Sequence, residues 1–233
     1  MAADARANLL SRAERELAAG RFAEAERDVA GALALDPGDP RALKLYAALL
    51  QRRGRTGDAI AALRRAETHA PDDPLLLNSL GIALAASGDH EGATAVLRRA
   101  AALAPDNAAI GANLGKLLVD TGAIDDGVAT LRAALARAPA MTHARFTLAY
   151  AERARGKLSE AETELRAILA QNAHDGDARL ALADLGVRAS ADDIAAMQTA
   201  LADAGVAGRS RIALRFALAR ALEEASRPDE AWP

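Results

Sequence analysis

The residues able to do acid–base, nucleophilic or metal chemistry are present in this chain, but they are scattered. Gly111 to Lys116 reads GANLGK, a glycine-and-lysine run of the kind that cradles phosphates. It is one residue short of that loop and lacks the Ser or Thr that should follow. His69, His90, His143 and His174 are too dispersed to form a local metal-ligand pair. There is no cysteine, which excludes disulfides and cysteine-ligated metals. The acidic doublets Asp72-Asp73 and Asp125-Asp126 fall in turns or at helix starts, where a carboxylate favours the positive end of the helix dipole. No GxSxG elbow or dinucleotide fingerprint occurs. The expectation is therefore a chain that is not an enzyme, with no cofactor and no metal. The residues left with recognition chemistry are cations, amides and aromatics, and their meaning depends on the elements that carry them.

Composition narrows those elements. The 233 residues are 51% hydrophobic but only 3% aromatic. Most of the difference is alanine, about a quarter of the chain. Small apolar side chains and the best helix propensity suit closely packed helices rather than a core built on large side chains. The formal net charge of -3 gives no reason to expect a nucleic-acid or anionic-membrane binder. No stretch approaches the roughly 20 unbroken apolar residues of a membrane span. Met1 to Arg15 lacks the apolar run of a secretory signal. With no cysteine, this points to a reducing, cytoplasmic setting.

One period organises the chain. Pro37, Pro71, Pro105 and Pro139 are each 34 residues apart, and so are Gly20, Gly54, Gly88, Gly122 and Gly156. Units can be numbered 1 to 34 from Arg6, Pro40, Pro74, Ala108 and Thr142. Position 8 is then Ala13, Ala47, Gly81, Gly115 and Ala149; position 20 is Ala25, Ala59, Ala93, Gly127 and Ala161. Position 24 is Val29, Leu63, Leu97, Leu131 and Leu165, and position 27 is Ala32, Ala66, Ala100, Ala134 and Ile168. Within the second unit, Leu43, Tyr46, Ala47 and Leu50 form one helical stripe, and Ala59, Ile60, Leu63 and Ala66 form a second. Gly54 permits the positive φ of a helix end, Pro71 stops the second helix, and Pro40 and Pro74 suit a first turn. A unit this small has no core of its own and is stabilised by stacking on its neighbours.

This pattern resembles the tetratricopeptide repeat, a 34-residue helix–turn–helix unit, over Arg6 to Asp175. The resemblance implies an all-α, right-handed α-solenoid of antiparallel helix pairs. It comprises five full repeats over 6–175 and a degenerate C-terminal part over 176–233. It also implies a protein-binding concave face lined by helix A at positions 2, 5, 9 and 12. Those positions give Arg41 and Lys44, with Arg52 beside them, in the second unit; Leu75, Asn78 and Ile82 in the third; Lys116, with Asn113 adjacent, in the fourth; and His143, Phe146, Tyr150 and Arg153 in the fifth. The expected trough is basic at one end, apolar in the middle and aromatic at the other. It suits a protein or peptide partner with an acidic group and a bulky apolar one. The alternative for the same residues is ordinary solvated helix surface, with Phe146 and Tyr150 covering the solenoid core. The carboxylate clamp carried by some family members is not present, because Ala48, Ser79 and Ala109 stand where its partners belong.

The ends depart from the pattern. Arg12 and Glu16 replace large apolar residues at positions 7 and 11 of the first unit, as expected of a solvated end. Ala173 replaces a proline, Gly186 arrives early, and the 34-residue frame is lost in the sixth unit. Ser190 and Asp193 read as a capping box, Gly205 as the cap that ends the same helix, and a further helix should start near Ser210. Leu218 to Trp232 reads as a last helix A, a turn at Ser226 and the first residues of a helix B at Pro228. Cut there, the last helix would expose an apolar stripe open to self-association. Ile212 to Trp232 also resembles the helix pair before the catalytic domain of bacterial repeat-containing sulfotransferases. This gives a second expectation: the repeat arm of a larger enzyme whose catalytic domain is absent here.

Overall fold

The computed structural model describes residues 2–203, 205–206 and 208–226. Among them the secondary structure is entirely helical. The first six repeat helices are α1 (Ala2–Ala18), α2 (Phe22–Leu35), α3 (Pro40–Arg52), α4 (Thr56–His69), α5 (Pro74–Ala86) and α6 (His90–Leu103). They are followed by α7 (Ala108–Asp120), α8 (Ile124–Arg137), α9 (Thr142–Ala154) and α10 (Leu158–Gln171). The chain closes with α11 (Gly176–Asp184), α12 (Ala191–Ala202) and α13 (Gly208–Glu224). Two compact units are present, Met1–Thr121 with α1 to α7 and Gly122–Pro233 with α8 to α13.

The local causes are those of the repeat. Helix starts are capped by side chains: Asp39, Asp73 and Asn107 accept backbone N–H groups at the starts of α3, α5 and α7, with Pro40 and Pro74 as first residues. At the end of α3, Gly54 takes φ +73°; its N–H reaches Gln51 O at 2.9 Å and the Arg55 N–H reaches Leu50 O at 2.9 Å. That pair of bonds closes the helix end and turns the chain through a three-residue link. Gly20, Gly88, Gly122 and Gly156 take the same left-handed φ at the equivalent position.

In the N-terminal unit α1 packs on α2, α3 on α4 and α5 on α6, and each second helix also meets the first helix of the next pair. Positions 8, 20, 24 and 27 are buried in all five repeats. The fit at the crossing is tight: a Cβ on Gly81 would lie 2.5 Å from Leu97 Cγ. Each fully buried leucine at position 24 removes its side chain from water, an effect of about 1.5–3 kcal/mol. The solvated end differs from the expectation. Arg12 is half exposed, but its Nε and Nη2 donate to the two oxygens of the buried Asp28 of α2, an ion pair that closes this end of the core.

The sixth unit is where the frame fails, and the reason is visible. Gly186, at φ +78°, ends α11 with the same bond pair as Gly54, but four residues early, about one helical turn. The capping box is as expected, with Ser190 Oγ accepting from the Asp193 N–H and Asp193 accepting from the Ser190 N–H. Buried positions on α12 are Ile194, Met197 and Ala200, whereas the repeat frame would put Ala195, Thr199 and Ala202 inside, and those three are exposed. The stripe has turned, and α12 packs along α13 rather than along α11. Instead α13 closes on α11, roughly in parallel. Gly176 N–H donates to Ser210 Oγ at 3.0 Å, and Arg220 reaches Asp184 at 3.4 Å, so residues 34 to 36 apart meet again. Gly205 does not cap α12: the helix ends at Asp203, whose carboxylate accepts the Gly205 N–H. After α13, Ser226 takes φ +60° at the expected turn. Pro228 and Trp232, read from sequence as the opening of a further helix, lie outside the described residues.

Candidate functional site

The basic residues of the second unit are placed on α3, but they are not equally available. Arg41 donates from Nε and Nη2 to both oxygens of Glu14 on α1, at 2.8 and 2.6 Å. This pairing holds the Glu14 carboxyl below its ordinary range. The Arg52 guanidinium stacks on Phe22, 3.4 Å from the ring centroid. Lys44 forms no hydrogen bond or ion pair among the described residues. Two of the three cations are thus already engaged by the preceding helix pair.

On α5 and α7 the face is mixed. Leu75 and Ile82 are exposed apolar residues on α5. Between the two helices Asn113 Nδ2 donates to Asn78 Oδ1 at 2.9 Å. Lys116 pairs with Asp120 one turn along α7. The GANLGK run lies inside α7, so it forms no loop that could hold phosphate. Among the described residues no three His, Cys, Asp or Glu side chains gather to hold a metal ion. Nor is any described helix long and apolar enough to cross a membrane.

The C-terminal unit carries an open hollow. Phe146, Ala149, Tyr150 and Arg153 of α9, Leu165 of α10, and Ala181 and Leu185 of α11 line an open cavity of about 210 Å³. Phe146 is half-buried and packs with Leu165, Ile168 and Leu182 in the local core. Tyr150 is 57% exposed and stands at the rim. The Arg153 guanidinium lies 5.6 Å from its ring centroid and has no ion-pair partner among the described residues. His143 is exposed one turn before Phe146. Sequence reasoning found the α9 residues and missed Leu165, Ala181 and Leu185. Their signal was positional: Leu165 is a core position of helix B, and Ala181 and Leu185 sit where the next helix A faces back onto its neighbour. On α13, Ile212 and Phe216 are 59% and 61% exposed, whereas Leu214, Leu218 and Leu222 are buried with Ile194 and Met197 of α12.

These features join a known architecture. A tetratricopeptide repeat model matches residues 16–80 and 84–140, and a second matches residues 113–175, so the chain belongs to the tetratricopeptide repeat family. No curated protein sequence matches it. Among solved structures, a thermophilic TPR protein from Thermus thermophilus is similar with a TM-score of 0.65 at 26% identity, over 77% of this chain and 98% of that one. Pseudomonas aeruginosa PilF is similar with a TM-score of 0.72 at 17% identity, over 98% of this chain and 97% of the other. YrrB, described as a TPR protein with an unusual peptide-binding site, gives a TM-score of 0.56 at 16% identity, over 70% of this chain and 84% of that one. At these identities PilF and YrrB speak to the fold alone.

Proposed function

We propose that this protein is a non-enzymatic scaffold that binds a peptide segment on its helix-A surfaces, with the α9–α11 hollow as the principal anchor. The observation that carries the reading is the open apolar cavity closed on one side by the exposed ring of Tyr150 and bordered by the unpaired Arg153. A large apolar side chain enters the cavity and covers Phe146 and Leu165. An acidic neighbour on the same peptide pairs with Arg153. Tyrosine and arginine suit this role because they bury much area and lose little rotamer freedom for the contact they make. Taken by itself, the N-terminal unit offers the Lys44 ammonium, which lies near Glu14 without a hydrogen bond, and Leu75, Ile82 and the Asn78–Asn113 pair as apolar and amide contacts. The binding described for YrrB is in keeping with this use of the fold. The alternative of an enzyme's repeat arm drew on Ile212 to Trp232, of which residues 227–233 lie outside the described residues.

Selection of short random peptides by display against the protein tests the anchor. Enriched peptides should share a bulky apolar residue beside an acidic one. Tyr150→Ala combined with Arg153→Glu should weaken them by about 1–2 kcal/mol, roughly 5- to 30-fold in Kd. Both residues are exposed, so folding is little affected. Unchanged affinity in the double variant would place the site elsewhere.

A further inference from the structure

The failure of the frame in the sixth unit opens a second cavity, on a different side of α11 from the peptide hollow. Because α11 stops one turn early and α12 leans on α13, a partly enclosed space of about 30 Å³ is left among α11, α12 and α13. Its wall is rich in arginine. Arg166, Arg179, Arg188 and Arg220 line it, against two carboxylates, Asp193 and Glu224, with Leu182, Val187, Met197 and Ala217 between them.

The central group is Arg179. It is only 8% exposed, its Nη1 donates to Asp193, and its Nε has no hydrogen-bond partner. Buried guanidinium donors are normally satisfied, because an unmet N–H has given up water for nothing. Asp193 has little left to offer, since its Oδ2 already accepts the Ser190 N–H at 3.1 Å and the Ser190 hydroxyl at 2.8 Å. The other arginines each spend only part of their five N–H donors. Arg188 Nη2 donates to the Glu224 carbonyl at 2.9 Å, which also shields an anion from the negative end of α13. Arg220 reaches Glu224 and Asp184 at 3.3 and 3.4 Å, and Arg166 pairs with Glu162 at 2.7 Å while lying 3.9 Å from Asp193. Glu162 and Asp184 stand outside the cavity wall but pair with Arg166 and Arg220, so four carboxylates balance the four arginines, and what the cavity offers is unused N–H donors rather than net positive charge.

We propose that this cavity binds a carboxylate, with Arg179 Nε as the inner donor and Arg188 and Arg220 at the mouth. Size selects the class. A single water needs about 10–15 Å³ in this measure. The space therefore holds about two to three water-sized atoms, room for a carboxylate group and tight for a tetrahedral phosphate. The carboxylate comes from a free small acid or from an acidic side chain of a protein, and the two are told apart experimentally.

The test is a titration of the full chain, followed through the arginine Nε–H signals in 15N-edited spectra. Sodium acetate, sodium phosphate and sodium chloride are compared at matched ionic strength. Acetate should shift one Nε–H signal saturably, and that signal should vanish in Arg179→Lys. The double variant Arg188→Ala, Arg220→Ala, altered only at the exposed mouth, should fold normally and bind acetate about tenfold more weakly. Thus the proposal does not depend on Arg179→Lys folding. A blocked glutamate tripeptide binding at least tenfold tighter than acetate identifies an acidic side chain as the natural occupant, and the reverse order identifies a free acid. No saturable shift, or the same shift with chloride, overturns the proposal and leaves the cavity to water.

Discussion

The pair α9–α10 and the group α11–α13 lie in the same unit, yet they pack by different rules. In α9–α10, Ala149, Ala161, Leu165 and Ile168 meet at an apolar crossing, with the ion pair of Arg145 and Glu164 beside it. In the sixth unit, the equivalent positions on α12 are exposed, α13 takes the contact with α11, and a guanidinium and a carboxylate are drawn inside. The repeat frame is thus more than a count of residues. It is the condition that keeps small residues at the crossing, and where the first helix is one turn shorter the seam is hollow and lined by arginines.

That contrast can be broken in three ways. The largest effect should come from the apolar seam: Leu165→Ala should cost about 3–5 kcal/mol in urea unfolding, since a fully buried leucine leaves a cavity between rigid helices. Met197→Ala on α12 should cost about 2 kcal/mol, because methionine sits in a looser setting that can collapse. Equal losses would mean that the two regions are packed alike. Next comes Gly176→Ala. A Cβ there would lie 2.1 Å from the Ser210 carbonyl oxygen, so α11 and α13 must separate, at about 1–3 kcal/mol. Gly57→Ala in α4, where a Cβ meets nothing within 4 Å, should be neutral or stabilise by up to about 1 kcal/mol. If both substitutions are neutral, the close approach of α11 and α13 is wrong.

The smallest effect is on acid stability. Burial pushes Asp193 up, but the Ser190 N–H and hydroxyl and the Arg179 guanidinium together hold it below its ordinary value of 3.8. A carboxyl lowered by folding stabilises the fold above its unfolded pKa, and that contribution is lost as pH falls through the folded one. Asp193→Asn should therefore lose less stability than the parent between about pH 5 and pH 2, measured by urea midpoints. Asp28, lowered chiefly by its hydrogen bonds from Arg12, behaves likewise for α1 and α2. Parallel acid limbs for Asp193→Asn and the parent would remove Asp193 from the account.

What could be read in advance follows the same division. The spacing of proline and glycine specified helix ends in the regular repeats because those ends depend on neighbours within five residues, as the Gly54 and Asp73 contacts show. The state of the surface cations depends on residues about one unit away. Arg41 meets Glu14 and Arg52 meets Phe22, 27 and 30 residues back, and no single-helix reading contains those partners. Arg12 looked like a solvated terminus for the same reason, its partner Asp28 lying on the next helix. The Arg179–Asp193 contact was further out of reach, since it needs α12 to have turned out of frame first.

The amide contact between Asn78 and Asn113 has a consequence for any main chain laid across α5 and α7. Each side chain has committed one edge to the other, yet Asn113 keeps a second N–H and its Oδ1, and Asn78 keeps both of its N–H groups. An incoming peptide group can therefore bond to the pair without breaking it. The contact between the two amides holds them in a fixed mutual orientation. Their remaining donors and acceptors are then offered together, which suits a strand that brings a carbonyl and an N–H side by side.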